Sequence, residues 1–84
     1  MDLDSALRES IAKICDVPVE HVRGDTLLTD LGVDSLAVAE VIVELEIRLD
    51  RELPIHLLRR LDRVRTVDDV LAELRTELGG DGSP

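Results

Sequence analysis

Residues 35–49 constrain the fold more than any other part of this chain. The segment contains no glycine or proline, and its apolar side chains recur at helical spacing. The larger ones fall within about 100° of arc, which is the width of a stripe that faces a core. These residues are Val38, Val41, Ile42, Leu45 and Leu49. Because other elements must cover such a stripe, the segment predicts the central helix of a small helical domain.

The residues just before this segment are suited to begin a helix. Gly32 can adopt a backbone turn that other residues avoid. Asp34 is a good N-cap, because its carboxylate can accept hydrogen bonds from the first amides of the helix. Ser35 is then predicted to lie in the first turn, where the helix dipole and the free amides stabilise a phosphate esterified to its hydroxyl. The sequence therefore indicates Ser35 as an attachment point for a phosphate-bearing group.

Three other segments show the same helical spacing. The first is predicted at residues 3–15 and ends before Pro18, because the residue before a proline avoids the helical region. A shorter helix is predicted at residues 55–62. The last is predicted to start at the capping signature Thr66-Val67-Asp68-Asp69 and to end at the glycine pair 79–80.

A long connection, residues 16–33, separates the first two predicted helices. A loop of this length normally counts against an assignment, but apolar side chains are spaced to pack it onto the bundle. They are Val19, Val22, Leu27, Leu28 and Leu31. Residues 18–22 are predicted to form a short helical turn. With no strand candidate, the sequence predicts an all-α fold: a small four-helix bundle of three main helices and one short helix, with a long ordered loop between helices one and two.

Composition argues against several classes of function. The net charge is −9, which disfavours nucleic acid and anionic membrane surfaces and favours partners with basic patches. No apolar run approaches the roughly 18 residues of a membrane span and no signal segment is visible, so we expect a cytoplasmic protein. Cys15 is the single cysteine, so an internal disulfide is excluded and no cysteine cluster can bind a metal. We expect it to be a small apolar residue near the core.

A recognisable pattern surrounds Ser35. Residues 25–36 read Asp-Thr-Leu-Leu-Thr-Asp-Leu-Gly-Val-Asp-Ser-Leu, and Ala-Val-Ala-Glu follows. This run resembles the modification site of acyl carrier proteins, and the resemblance extends over residues 3–78. In that family the serine of an Asp-Ser-Leu triplet carries 4′-phosphopantetheine, whose thiol holds acyl groups as thioesters. The resemblance implies an acyl-carrier-like bundle at residues 1–80, a disordered tail at 81–84, and a covalent 4′-phosphopantetheine on Ser35.

The resemblance also implies a non-catalytic carrier that acts as the covalent substrate of partner enzymes. A phosphopantetheinyl transferase would move the arm from coenzyme A to Ser35, with Asp34 and Leu36 as recognition residues. The other implied partners are acyl-loading enzymes and condensing or tailoring enzymes with basic and apolar docking patches. We expect no nucleic acid, no metal ion and no membrane span, and we expect a monomer.

The helix at 35–49 carries a second, narrower apolar line away from the core stripe. The line consists of Leu36, Val43 and Ile47, and the carboxylates predicted to flank it are Glu40, Glu44 and Glu46. This pattern favours a docking face for partner proteins. By resemblance, Glu40 and Glu46 match acidic positions of the family's partner-reading helix, and Val43 and Ile47 would add apolar contact. The alternative is that neighbouring helices bury this helix on two sides.

Two departures from fatty-acid-type carriers favour a discrete carrier of a specialised pathway, such as polyketide synthesis. Ala37 and Ile47 stand where those carriers often have acids, and the segment 54–66 is longer and rich in arginine. Aminoacyl and peptidyl carriers of nonribosomal peptide pathways share the fold and the arm, and they are the alternative. The identity of the cargo is left open.

The sequence also bears on functions of other classes. A serine hydrolase is disfavoured, because Ser35 does not lie in a Gly-x-Ser-x-Gly motif. An unmodified acidic helical adaptor is the main non-carrier alternative, and it predicts that Ser35→Ala leaves function intact. The role of an arginine cluster is also open. Its members could contact an acidic partner or pair with carboxylates of the central helix, but we expect them to be mostly solvated, because surface ion pairs contribute only about 0–1 kcal/mol. They are Arg59, Arg60, Arg63 and Arg65.

Overall fold

Four α-helices form the domain in a computed structural model that describes residues 2–78. Helix α1 comprises Leu3–Cys15, α2 Ser35–Leu49, α3 His56–Arg60 and α4 Val67–Glu77. Within residues 2–78 no strand forms, and the nearest approach to one is an isolated antiparallel bridge between Leu27 and Thr66. The predicted all-α bundle of three main helices and one short helix is confirmed. The predicted stop at residues 79–80 and the predicted tail at 81–84 lie outside the described residues.

Short-range polar contacts fix the ends of the long helices. Asp2 caps α1, because its Oδ1 accepts a hydrogen bond from the Ser5 amide at 2.8 Å. Helices α1 and α2 both end at an aspartate in the left-handed region, Asp16 at φ 58° and Asp50 at φ 53°. Aspartate tolerates this conformation better than most residues. The predicted bounds of both helices are confirmed.

The core is aliphatic and lies between the three long helices. Helix α1 packs mainly against α2, and α4 contacts both α1 and α3. The fully or almost fully buried side chains of these helices are Ala6, Leu7, Ile11, Val41, Ile42, Leu45, Val67, Val70, Leu71 and Leu74. One polar side chain, Ser10, is buried with them, and its hydroxyl donates to the Ala6 carbonyl at 2.7 Å. Cys15 is half-buried beside this core, as expected, and burial raises the pKa of its thiol.

The long connection between α1 and α2 is ordered and packs on the bundle, as predicted. It contains two 3₁₀ turns, Val19–His21 and Leu28–Leu31. The first confirms the short helical turn predicted at residues 18–22. Val22 and Leu28 are buried. The prediction for Leu27 is wrong, since its side chain is 43% exposed.

Backbone hydrogen bonds tie this connection to the start of α4. The Leu28 amide donates to the Arg65 carbonyl at 2.8 Å, and the Val67 amide donates to the Thr26 carbonyl at 3.1 Å. These bonds place the bridge residues Leu27 and Thr66 side by side. The backbone therefore anchors the loop at Leu27, even though this side chain faces solvent.

The third helix is shorter than predicted, because residues 61–63 continue it as a 3₁₀ turn. Its Arg60 was expected to be solvated or to pair with the central helix, and this is wrong. The Arg60 guanidinium contacts Glu73 of α4 at 2.7 Å and Glu77 at 2.7 Å. These two carboxylates raise the pKa of Arg60. These ion pairs hold α3 against α4. The other arginines of the cluster, Arg59, Arg63 and Arg65, are exposed as expected.

Candidate functional site

Ser35 is the first residue of α2, and its side chain is exposed. Asp34 precedes it in an extended conformation, and its Oδ1 accepts a hydrogen bond from the Ala37 amide at 2.8 Å. The Asp34 carbonyl already accepts the first helical bond, from the Val38 amide at 2.9 Å. The amides of Ser35 and Leu36 have no acceptor inside the helix, as at every helix start. The hydroxyl thus stands at the positive end of the α2 dipole.

A tight turn sets the direction in which α2 begins. Gly32 has φ 78°, a left-handed conformation that glycine adopts without a steric penalty. A Cβ at this position would meet nothing within 4 Å, so the backbone angle alone explains the glycine. The Val33 amide then donates to the Leu28 carbonyl at 2.9 Å, which closes the turn just before Asp34.

A groove of about 610 Å³ adjoins Ser35 and runs between α2 and the segment from α3 to Arg65. Its apolar lining comprises Leu27, Leu28, Val33, Val38, Ala39, Leu58, Leu61 and Val64. The polar lining comprises Thr29, Asp34, Ser35, Asp62 and Arg65. The groove could not be predicted from the sequence, because it depends on how α3 sits relative to α2 and no single periodicity encodes that.

The second apolar line of α2 is exposed. Leu36 and Ile47 are each 69% exposed and Val43 is 56% exposed. The alternative that neighbouring helices bury α2 on two sides is therefore wrong for the described part of the chain. Glu40 is also exposed beside this line.

Glu44 does not flank the line as predicted, whereas Glu46 lies beside Val43 and Ile47. Glu44 turns toward α1, where it contacts Lys13 at 3.2 Å, and it also pairs with Arg48 at 3.0 Å. Only 13% of its side chain is exposed, and the hydrogen bond from Lys13 lowers its pKa. Glu46 is half-buried, and its Oε2 accepts a hydrogen bond from the Leu53 amide at 2.7 Å. Both contacts have one cause: a long side chain turns to the nearest donor, which helical spacing does not reveal.

Comparison with known proteins decides the family. A family model described as "Phosphopantetheine attachment site" matches residues 5–74. The chain belongs to this family. Methylphloroacetophenone synthase of Cladonia uncialis is 39% identical over 61 residues, which are 73% of this chain and 2% of the synthase. Non-reducing polyketide synthase pkiA of Emericella nidulans is 32% identical over 78 residues, which are 93% of this chain and 3% of that protein.

A further relative, non-reducing polyketide synthase pkbA of the same fungus, is 28% identical over 72 residues, 86% of this chain. The chain thus spans only 2% to 3% of the length of these relatives. The similarity concerns one domain, and it leaves the other activities of those large proteins outside the comparison.

The cofactor of this family is a covalently attached 4′-phosphopantetheine, and its domains are carriers that are generally non-catalytic. The residues around Ser35 fit such a group. The exposed hydroxyl can form the phosphoester, the start of α2 favours a negative phosphate, and the adjoining groove offers an apolar wall to an extended arm. Within residues 2–78, no helix is both long enough and apolar enough to cross a membrane.

Proposed function

We propose that Ser35 carries the 4′-phosphopantetheine arm and that the domain presents acyl intermediates, held on this arm as thioesters, to the enzymes of a polyketide pathway. The observation that carries the proposal is the position of Ser35. Ser35 is the first residue of α2, and its exposed side chain lies next to the Asp34 cap and at the mouth of the groove. The relatives named as polyketide synthases support the choice of pathway.

Each residue of the triplet has a separate task in this proposal. Asp34 holds the first turn of α2 through the Ala37 amide, so the Ser35 hydroxyl stays at a fixed place on the surface. Leu36 offers an apolar contact beside the hydroxyl to an approaching enzyme. When bound, the arm supplies the thiol on which acyl groups are carried. The transferase supplies the acid–base chemistry of loading, and the domain itself is not an enzyme.

The exposed line on α2 is the proposed docking face. Leu36, Val43 and Ile47 contribute apolar contact, and Glu40 contributes the free negative charge. Glu46 has a smaller part, because its carboxylate is already bonded to the Leu53 amide. Opposite charges on two partners speed their encounter more than they strengthen the complex, which suits a cytoplasmic carrier that visits several enzymes with basic patches in turn.

Loading by a transferase tests the attachment site. The apo protein is incubated with coenzyme A and a broad-specificity phosphopantetheinyl transferase, and its intact mass is measured. We expect a gain of one phosphopantetheine in the wild type and none in Ser35→Ala. Ser5→Ala is the matched control, because Ser5 also lies in the first turn of a capped helix. Loading of Ser35→Ala, or no loading of the wild type when a known carrier is loaded in parallel, would refute the proposal.

A second measurement separates the polyketide pathway from the peptide alternative. The loaded protein is offered to a malonyl-transferring acyltransferase with malonyl-coenzyme A, and in parallel to an amino-acid-adenylating enzyme with its amino acid and ATP. We expect the malonyl thioester by mass and little aminoacyl thioester. The opposite pattern would assign the domain to nonribosomal peptide synthesis.

A further inference from the structure

We propose that Arg65 positions the phosphopantetheine arm through an ion pair between its guanidinium and the phosphodiester on Ser35. The inference rests on the proposed attachment to Ser35 and extends it to a residue outside the serine motif. Arg65 lies between the 3₁₀ turn Leu61–Arg63 and the start of α4, distant in sequence from the serine.

Two consecutive hydrogen bonds connect the backbone of Arg65 with the turn that precedes Ser35. The Leu28 amide donates to the Arg65 carbonyl at 2.8 Å, and the Leu28 carbonyl accepts from the Val33 amide at 2.9 Å. On its other side, the Arg65 amide donates to Oδ2 of Asp69 at 3.0 Å. The backbone of Arg65 is therefore held in a fixed place relative to the start of α2.

Arg65 is one of the residues that line the same groove as Ser35. Among the described residues that form this lining, Arg65 is the one cation, whereas Asp34 and Asp62 contribute carboxylates. A phosphodiester at the mouth of the groove is repelled by those two acids and attracted by the arginine. The position of Arg65 therefore selects the wall of the groove that the arm follows.

The guanidinium of Arg65 is also available for such a pair. No carboxylate among residues 2–78 forms a salt bridge with it, in contrast to Arg60, which is held by Glu73 and Glu77. The nearby Asp69 uses its Oδ2 to accept the Arg65 and Thr66 amides, and these bonds, together with the charge of Arg65, lower the pKa of Asp69 without a direct salt bridge between the two side chains. Arginine suits a phosphate because its planar fork can donate two parallel hydrogen bonds to two oxygens.

The test uses the loaded full chain, after intact mass has confirmed one arm per protein. The ³¹P resonance of the phosphodiester and the Nε–H resonances of the arginines are recorded for the wild type, Arg65→Gln, Arg65→Lys and Arg63→Gln. Arg63→Gln is the matched control, because it removes the same charge from a side chain that lines the neighbouring groove between α3 and α4 and is absent from the lining around Ser35. Circular dichroism checks that each variant is folded.

We expect the Arg65 Nε–H resonance to shift on loading and the Arg63 resonance to stay in place. We expect Arg65→Gln to shift the ³¹P resonance, Arg65→Lys to restore part of the wild-type value, and Arg63→Gln to have no effect. High salt should reduce the difference between the wild type and Arg65→Gln, because screening weakens an exposed pair. Equal ³¹P shifts in both glutamine variants, or none in either, would overturn the role of Arg65 while the mass gain still supports the carrier. Absence of the mass gain would overturn both.

Discussion

The Oδ1 atom of Asp34 accepts a hydrogen bond at 2.8 Å from the amide of Ala37, which lies in the same first turn of helix as Ser35. This bond ties the residue before the serine to the residue two positions after it. The start of α2 and the place of the serine hydroxyl are therefore fixed together, and we expect a change at Asp34 to affect both stability and loading.

Substitutions at Asp34 can separate these two effects. Asp34→Ala removes the cap and should lower the free energy of unfolding by about 1 kcal/mol, whereas Asp34→Asn keeps an acceptor and should cost much less. Urea denaturation followed by circular dichroism measures this, since the chain has no aromatic residue for fluorescence. If the transferase reads the charge of Asp34, both variants load slowly. If Asp34→Asn loads like the wild type, the residue acts through the cap alone.

Gly32 and Gly24 should respond to alanine for different reasons. Gly32→Ala puts a side chain at φ 78° and should cost about 1–2 kcal/mol. At Gly24 the problem is space, because a Cβ there would overlap the Asp68 carboxylate. Gly24→Ala should therefore be relieved in part by Asp68→Ala, with a coupling of about 0.5 kcal/mol or more in a double-mutant cycle. Gly32→Ala combined with Asp68→Ala should be additive, and coupling in that pair would contradict the explanation.

The domain should lose stability in acid, in part through Asp69. Hydrogen bonds from the Arg65 and Thr66 amides lower the pKa of this carboxyl. A carboxyl whose pKa is lower in the folded state stabilises the fold at pH values above its unfolded-state pKa of about 4. This contribution is lost as the pH falls through the folded-state pKa. Asp69→Asn keeps an oxygen acceptor for these amides, so its unfolding free energy should fall less steeply below pH 4. Asp68→Asn is the control and should follow the wild type.

Substitutions on the exposed face of α2 should affect loading, whereas substitutions on its buried face should affect stability. Leu36→Ser and Ile47→Ser should change the free energy of unfolding by no more than about 0.5 kcal/mol, yet lower kcat/KM for loading by the transferase several-fold. Leu45→Ala removes a fully buried side chain and should cost about 2–5 kcal/mol. Unchanged loading of both serine variants would show that the transferase does not use this face.

Helix ends could be predicted because the residues that form them are close in sequence. Asp34 caps α2 from the adjacent position, and Asp69 completes the capping box of Thr66 from three residues away. Gly32 likewise indicated a turn, and its positive φ angle alone explains why glycine stands there. Each of these features depends on one short stretch of chain, so the pattern and the structure agree.

Features that depend on two distant segments could not be predicted. Arg60 pairs with Glu73 and Glu77 of α4, and Glu44 turns to Lys13 of α1. Helical spacing says on which face a residue lies, but it does not say which charged group of another helix is within reach. The groove beside Ser35 arises in the same way, from the position of α3 relative to α2.

The most direct test locates the phosphopantetheine within the loaded protein. Trypsin cleaves after Arg23 and Arg48 and releases residues 24–48, whose hydroxyl side chains are Thr26, Thr29 and Ser35. Fragmentation of this peptide in a tandem mass spectrometer assigns the modification to one of them. We predict that every fragment containing Ser35 carries the added mass and that fragments ending before it do not. Added mass on either threonine, or on another peptide, would contradict the assignment of Ser35 as the attachment residue.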